Sequence, residues 1–223
     1  MLEVEGIYKA YGKRKVLQGV SFAAEPGECI GIVGGNGCGK TTLLSILAGV
    51  NRPDRGAVRF SGANAVGKRS VFERSAAYVP QENPLIPELS AADNYRLWFR
   101  GNKKAMEEDL KHGVGHVLGI REFLGTRADR LSGGQKKRLS IASALSNRAS
   151  VLIMDEPGAA LDLAAKQEIL SYIKSFVAQG GIVILTSHEM AELSVCTSLY
   201  VLKDGMMKPM EKGLSADAMI NRF

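Results

Sequence analysis

A chain of 223 residues with 45% hydrophobic content is long enough to bury one sizeable core, as one large domain or two small ones. The net charge of +6 is dispersed among 23 acids, and its densest cluster, Lys136-Lys137-Arg138, has no interleaved aromatics; nucleic acid is not expected, and the charge reads as solvated surface suited to a polyanionic nucleotide or an anionic cytoplasmic membrane face. No apolar run reaches bilayer-spanning length, and Cys29, Cys38 and Cys196 form no CxxC pair, which points away from a disulfide framework or zinc site and towards a reducing compartment.

The chain starts on Met1-Leu2-Glu3-Val4-Glu5, which lacks the basic-then-apolar order of a signal peptide, so a membrane role requires another polypeptide. Short β-rich runs follow at 16–23, 28–33, 57–60, 76–79, 151–154, 182–186 and 199–202, several of them continuously apolar, as buried parallel strands are. Between the last of these, 164–178 places Ile169, Ile173, Phe176 and Val177 on one face of a helix that Gly180-Gly181 ends. Strands alternating with helices predict an α/β sheet. The stretch from 90 to 147 breaks the alternation, with a charged helical segment at 102–111 and Leu139, Ala142 and Leu145 at helical spacing. It reads as an inserted helical subdomain, entered through an irregular loop marked by Pro80, Pro84 and Pro87. His112 and His116, four apart on a predicted helix, have no third ligand and are read as surface residues.

Gly34-Gly35-Asn36-Gly37-Cys38-Gly39-Lys40-Thr41 matches GxxxxGK[ST], follows an apolar strand and, with Thr42, opens a helical run. Triphosphate oxygens need several converging donors, and a glycine-rich turn aims backbone N–H groups inward at a helix N-terminus without Cβ clashes. Lys40 adds a point charge for the β and γ phosphates, and Thr41 a hydroxyl for Mg²⁺. Val151-Leu152-Ile153-Met154-Asp155-Glu156 supplies the second half, an apolar strand with two carboxylates at its C-terminal end. Because successive strand residues point in different directions, Asp155 can serve the metal while Glu156 polarises the attacking water.

Leu131-Ser132-Gly133-Gly134-Gln135 narrows the field: the chain resembles the ABC-type ATPases over essentially its whole length. Tyr11, the loop from Gly34 to Thr42, Gln81, the 131–135 segment, Asp155-Glu156-Pro157, Leu161-Asp162 and His188 occur in that family's order. The resemblance implies an α/β P-loop NTPase fold: a RecA-like parallel or mixed sheet core with N-terminal antiparallel strands, plus an inserted α-helical subdomain. It implies one domain over 1–223, with the nucleotide-binding core in 1–88 and 148–223 and the signature subdomain in 89–147. It also implies that Ser132, Gly133 and the following helix bind the γ phosphate of ATP held by a second ATPase subunit, identical or paralogous. A hydroxyl, free N–H groups and a helix N-terminus do make an anion site, and one beyond the chain's own phosphate cradle is simplest to explain as completed in trans.

By the same resemblance Tyr11 stacks on adenine, with Tyr8 an alternative, and Gln81 reaches Mg²⁺ and the lytic water and reports the state of the transport subunit. Asp162 contacts the partner subunit or caps the next helix, and His188 hydrogen-bonds the γ phosphate and positions Glu156 and water. Departures from the family pattern are Gly35, Cys38 and Gly158, none of which removes a catalytic group. Cys38, beside a helix N-terminus and Lys40, is expected to react with thiol reagents and to be shielded by ATP. The expectation is an ATPase with ATP and Mg²⁺ as cofactors, peripheral on the cytoplasmic membrane face through transmembrane permease subunits. Its short segment after His188 leans towards export. A non-transport ABC ATPase acting on ribosomes or DNA is the alternative, and a weakly hydrolysing regulatory module a third reading; the chain shows no tandem cassette, coiled coil or zinc insertion for the second, and Lys40, Asp155, Glu156 and His188 argue against the third.

Overall fold

The structure, a computed structural model, describes residues 1–99 and 101–213. Residue 100 of the expected helical insertion and 214–223 of the expected core lie outside the described residues. The amino-terminal sheet has four strands in the order β2 (Arg14–Ala24), β1 (Leu2–Tyr11), β4 (Arg55–Phe60) and β5 (Ala63–Asn64), all antiparallel. The central sheet has six, in the order β10 (Met206–Met210), β9 (Ser198–Lys203), β3 (Cys29–Val33), β8 (Ile182–Thr186), β7 (Val151–Asp155) and β6 (Ala76–Val79). Its strands from β9 to β6 are parallel, and β10 closes one edge as an antiparallel hairpin. This is the α/β architecture that the alternation of strands and helices predicts, with the antiparallel amino-terminal strands that the family resemblance implies.

Strands β3, β7 and β8 are buried throughout, which is why they read as unbroken apolar runs rather than alternating ones. Alternation survives as a choice between two cores. Ile30, Ile32, Val151, Ile153, Ile182 and Ile184 face α1 (Lys40–Leu47) and the antiparallel sheet, where Leu43, Leu44, Leu2 and Val4 meet them. Cys29, Val33, Leu152, Met154, Val183 and Leu185 face the other way, towards α6 (Gly133–Leu145) and α7 (Leu163–Ala178). Each fully buried aliphatic side chain contributes about 1.5–3 kcal/mol over its exposed state.

The longer helices between β6 and β7 begin at capped ends. Ser90 Oγ accepts from Asp93 N ahead of α3 (Ala91–Trp98), and Asn102 Oδ1 from Ala105 N ahead of α4 (Lys103–His112). The short α5 (Val114–Val117) follows, so His112 and His116 lie on two separate exposed helices rather than one face of a single helix. Asp109 accepts from Tyr95 Oη at 2.5 Å and from the amides of Val114 and Gly115, which ties α3 to the α4–α5 corner; burial and that carboxylate push the Tyr95 phenol up. The proline-marked loop is ordered by Asn94, whose side chain is 0% exposed and pairs with both backbone groups of Ile86 and with the Ser90 carbonyl. Among the described residues the remaining α-helices are α2 (Arg69–Ser75), ahead of β6, and α8 (Met190–Ser194), ahead of β9.

The cysteines sharpen one reading. Remote in sequence, Cys29 on β3 and Cys196 after α8 are neighbours across the sheet face, with Sγ atoms 3.6 Å apart, and both are free thiols.

Candidate functional site

The loop between β3 and α1 leaves the carboxyl edge of the sheet, where parallel α/β sheets collect ligands. Its turn depends on glycine at two places above all. Gly34 has φ +157° with the Leu202 carbonyl and the Cys38 thiol against its open side, and Gly39 has φ +114° with Val16 Cγ1 2.8 Å from where a Cβ would stand. Lys40 is only 7% exposed and folds its ammonium back over the loop, donating to the Gly34 carbonyl at 2.7 Å and the Gly35 carbonyl at 3.3 Å. Helix α1 starts at Lys40 and directs its first N–H groups to the same place. Gly35, by contrast, has an ordinary φ and open space around it, so the family's bulkier residues are sterically compatible there.

A cavity of about 710 Å³ opens beside this loop, in the size range of small-molecule sites. Asn36, Gly37, Gly39, Lys40, Thr41 and Thr42 line it from below, Tyr11, Arg14 and Val16 from the β1–β2 turn, and Gln81 and Glu156 from the far end. Tyr11 is 50% exposed, with the Lys9 ammonium 5.5 Å from its ring centre. Tyr8 instead lies over Gly19, so Tyr11 is the tyrosine that fronts the cavity. Arg14, which no sequence motif marks, donates to the Gly37 carbonyl at 2.8 Å and brings a guanidinium to the Gly34 loop.

At the far end three strand termini converge. Asp155 ends β7 at 3% exposure, and its Oδ1 accepts the Thr186 hydroxyl at 2.6 Å from the end of the neighbouring β8. Glu156 follows in a left-handed conformation, φ +45°, which costs a non-glycine residue about 1–2 kcal/mol. Its N–H donates to both Thr186 oxygens at 3.1 Å, so Thr186, another unanticipated residue, holds the two acids apart. The strained turn delivers the Glu156 carboxylate to two partners: Gln81 Nε2 donates to Oε2 at 3.0 Å, and His188 Nε2 lies 3.6 Å from Oε1.

The 131–135 turn is built differently. Ser132 caps α6 in a capping box: Gln135 N donates to its Oγ at 3.2 Å, and its own N–H donates to Gln135 Oε1 at 2.9 Å. Leu131 and Gly134 are buried, Gly134 because α7 approaches so closely that a Cβ would stand 2.6 Å from Ala165 Cβ. Ser132 and Gly133 are exposed, and none of these residues lines the 710 Å³ cavity. Asp162 caps α7, its Oδ1 accepting from Ala165 N at 2.8 Å.

The reading of 136–138 as a solvated charge cluster needs correcting. Lys137 is 1% exposed and donates to the Gln81 carbonyl at 3.1 Å and the Pro80 carbonyl at 3.3 Å, while Arg138 stacks over Phe123. Burial pulls the Lys137 ammonium below the usual lysine range, and the charges of Glu192 and Asp155 act the other way. A helical stripe of Gly134, Lys137, Ile141 and Leu145 announces this burial in the sequence itself.

Residues 17–159 match the ABC transporter family. The chain belongs to that family. As an ABC ATP-binding chain it is similar to Nod factor export ATP-binding protein I of Paraburkholderia xenovorans, at 35% identity over 92% of this chain and 68% of that protein. It is similar also to the spermidine/putrescine import ATP-binding protein PotA of Spiroplasma citri, at 34% identity over 93% of this chain and 60% of that protein. The chain thus spans about two thirds of the length of such relatives. Among solved structures it resembles the dimeric post-hydrolysis ATP-binding cassette MJ0796 bound to ADP and Pi, with TM-score 0.81 and 26% identity over 95% of this chain and 99% of that one. ATP binding and hydrolysis are the family's activity, and this chain is an ABC ATPase.

Proposed function

We propose that the chain is the motor subunit of an ABC transporter: a head-to-tail dimer, homomeric or with a paralogue, that hydrolyses ATP at the cytoplasmic face of the membrane and drives separate transmembrane subunits. The observation that carries this reading is the meeting of Gln81, His188 and Glu156 at the end of the cavity that holds Lys40. Tyr11 offers a ring to adenine, the loop amides and Lys40 take the phosphates, and Arg14 adds a second cation beside Gly37. Glu156 acts as general base on the attacking water, with Gln81 and His188 fixing its carboxylate. His188 bridges between that carboxylate and the γ phosphate. The donor set of the Thr41 hydroxyl, the Gln81 amide and the Asp155 carboxylate is all oxygen and hard, with one charge, which fits a Mg²⁺ that keeps several waters. When bound, Mg²⁺ neutralises charge on the β and γ phosphates.

In this reading 1–88 and 148–223 form the nucleotide-binding core and 89–147 the signature subdomain of one domain. Ser132 and Gly133 serve the γ phosphate of the partner's ATP: both are exposed at the start of a helix, away from the chain's own cavity. The exposed end of the Gln81 loop faces the membrane subunits. Glu156→Gln keeps the hydrogen bond to Gln81 within reach and removes the base, so ATP binding persists, a nucleotide-bound dimer accumulates on gel filtration, and turnover drops by about 10²–10⁴-fold. Wild-type turnover in that variant rejects Glu156 as the base.

A further inference from the structure

Helix α6 carries at its amino end the turn assigned to the partner's ATP, and one turn further in it grips the loop that serves the chain's own ATP. The grip has two points on one helical face. Lys137 Nζ donates to the carbonyls of Gln81 and Pro80, and Ser140 Oγ, three residues on, lies 3.1 Å from Asn83 Oδ1. The loop's outer side is held by Asn94, and its stretch from Pro80 to Asn83 is held by α6. The Gln81 side chain then reaches Glu156.

We propose that Lys137 is a positioning residue that couples the two ATP sites of the dimer, setting the Gln81 side chain against Glu156 in one site according to whether α6 is docked on ATP in the other. This rests on the dimer reading above. A buried ammonium is a costly way merely to fill space, since burying a charge is unfavourable unless its donors are satisfied, and a methionine fits the same helical stripe at no such cost. What the ammonium supplies and a methionine does not is a hold on two successive carbonyls, of Pro80 and of Gln81, whose side chain meets the base. A helix moves as a rod over one turn, so a displacement at Ser132 arrives at Gln81 with little loss, and docking of α6 on the opposite ATP resets the Gln81–Glu156 contact. The residue touches neither nucleotide nor water in this scheme; it acts through Gln81.

The test is steady-state ATPase activity of the full chain over a range of ATP concentrations, for wild type, Lys137→Met and Lys137→Arg, with ATP binding to the isolated chain measured in parallel. Lys137→Met is expected to leave that binding unchanged, to lower kcat by about a hundredfold through misplacement of the base, and to bring the Hill coefficient from about two to about one. Lys137→Arg restores both, because a guanidinium also donates to two carbonyls. Wild-type kcat and cooperativity in Lys137→Met overturn the coupling alone, as does a parallel loss of binding and turnover, the mark of a merely structural role. A wild-type chain that turns over ATP without cooperativity overturns the dimer reading and the coupling with it. If Lys137→Met does not melt cooperatively, amide exchange in Glu156→Gln decides: ATP must protect 80–83 and 133–137 at the same nucleotide concentration, and protection of one stretch without the other overturns the proposal.

Discussion

The two segments proposed to meet phosphate, the Gly34 loop and the 131–135 turn, differ in how much of a site they contain. The Gly34 loop is furnished from within: Lys40 is folded onto its carbonyls, Arg14 grips Gly37, and Tyr11, Gln81 and Glu156 close the cavity around it. The 131–135 turn is anchored just as firmly, by the Ser132–Gln135 capping box and the packing of Gly134 on α7, yet it presents Ser132 and Gly133 to the outside. Rigidity away from the chain's own cavity is what a half-site needs if a second chain supplies the rest. One segment borders a cavity; the other is an exposed surface.

The comparison is broken most directly at Ser132. Aspartate caps helices as well as serine does, so Ser132→Asp keeps the fold's stability within about 0.5 kcal/mol in thermal denaturation. In the proposed dimer its charge faces the partner's phosphate, so the isolated chain is expected still to bind ATP while dimer turnover falls by about a hundredfold or more. Loss of ATP binding by the isolated chain would place that turn in the chain's own site and dissolve the distinction.

A middle-sized effect is expected at Gly158, where the acid strand turns towards Asp162. The buried Glu192 carboxylate occupies the space a Cβ would take there and accepts from the Gly158 N–H and from Ser187; burial holds its pKa above the usual carboxylate value. Gly158→Thr therefore forces Glu192 aside and costs about 1–3 kcal/mol, read as a melting temperature lowered by several degrees. An unchanged melting temperature would mean that Glu192 swings away freely. The smallest effect belongs to the Gly34 loop itself. With open space and an ordinary φ at Gly35, Gly35→Ala should change stability by no more than about 0.5 kcal/mol and leave ATP affinity at the wild-type value in a fluorescence titration.

Much of the chemistry was legible because it lies in contiguous runs. The Gly34 loop, the Asp155-Glu156 pair and the 131–135 turn are each dictated by local backbone demands: positive φ, a strand end, a helix cap. Arg14, Thr186 and Lys137 were not legible in that way, since each acts on a backbone atom of a distant segment. The amino-terminal strand β1 went unread for a related reason: its register shifts against both neighbours and its polar Glu3, Glu5 and Lys9 dilute the apolar pattern. Lys137 illustrates the opposite failure, a charge taken for surface although helical periodicity placed it inside.

By itself, then, the sequence determined that this chain is a nucleotide-binding α/β protein and which short segments are proposed to meet phosphate, because glycine turns, carboxylates and capping residues are local instructions. Only the tertiary structure decided that Gln81, Glu156 and His188 share one carboxylate, that Cys29 and Cys196 are neighbours, and that a lysine of the signature helix holds the Gln81 loop. Those relations depend on strand order, in which β8 runs between β3 and β7, and on how α6 packs. Such adjacency is set by burial of whole faces and is written in no single stretch of residues.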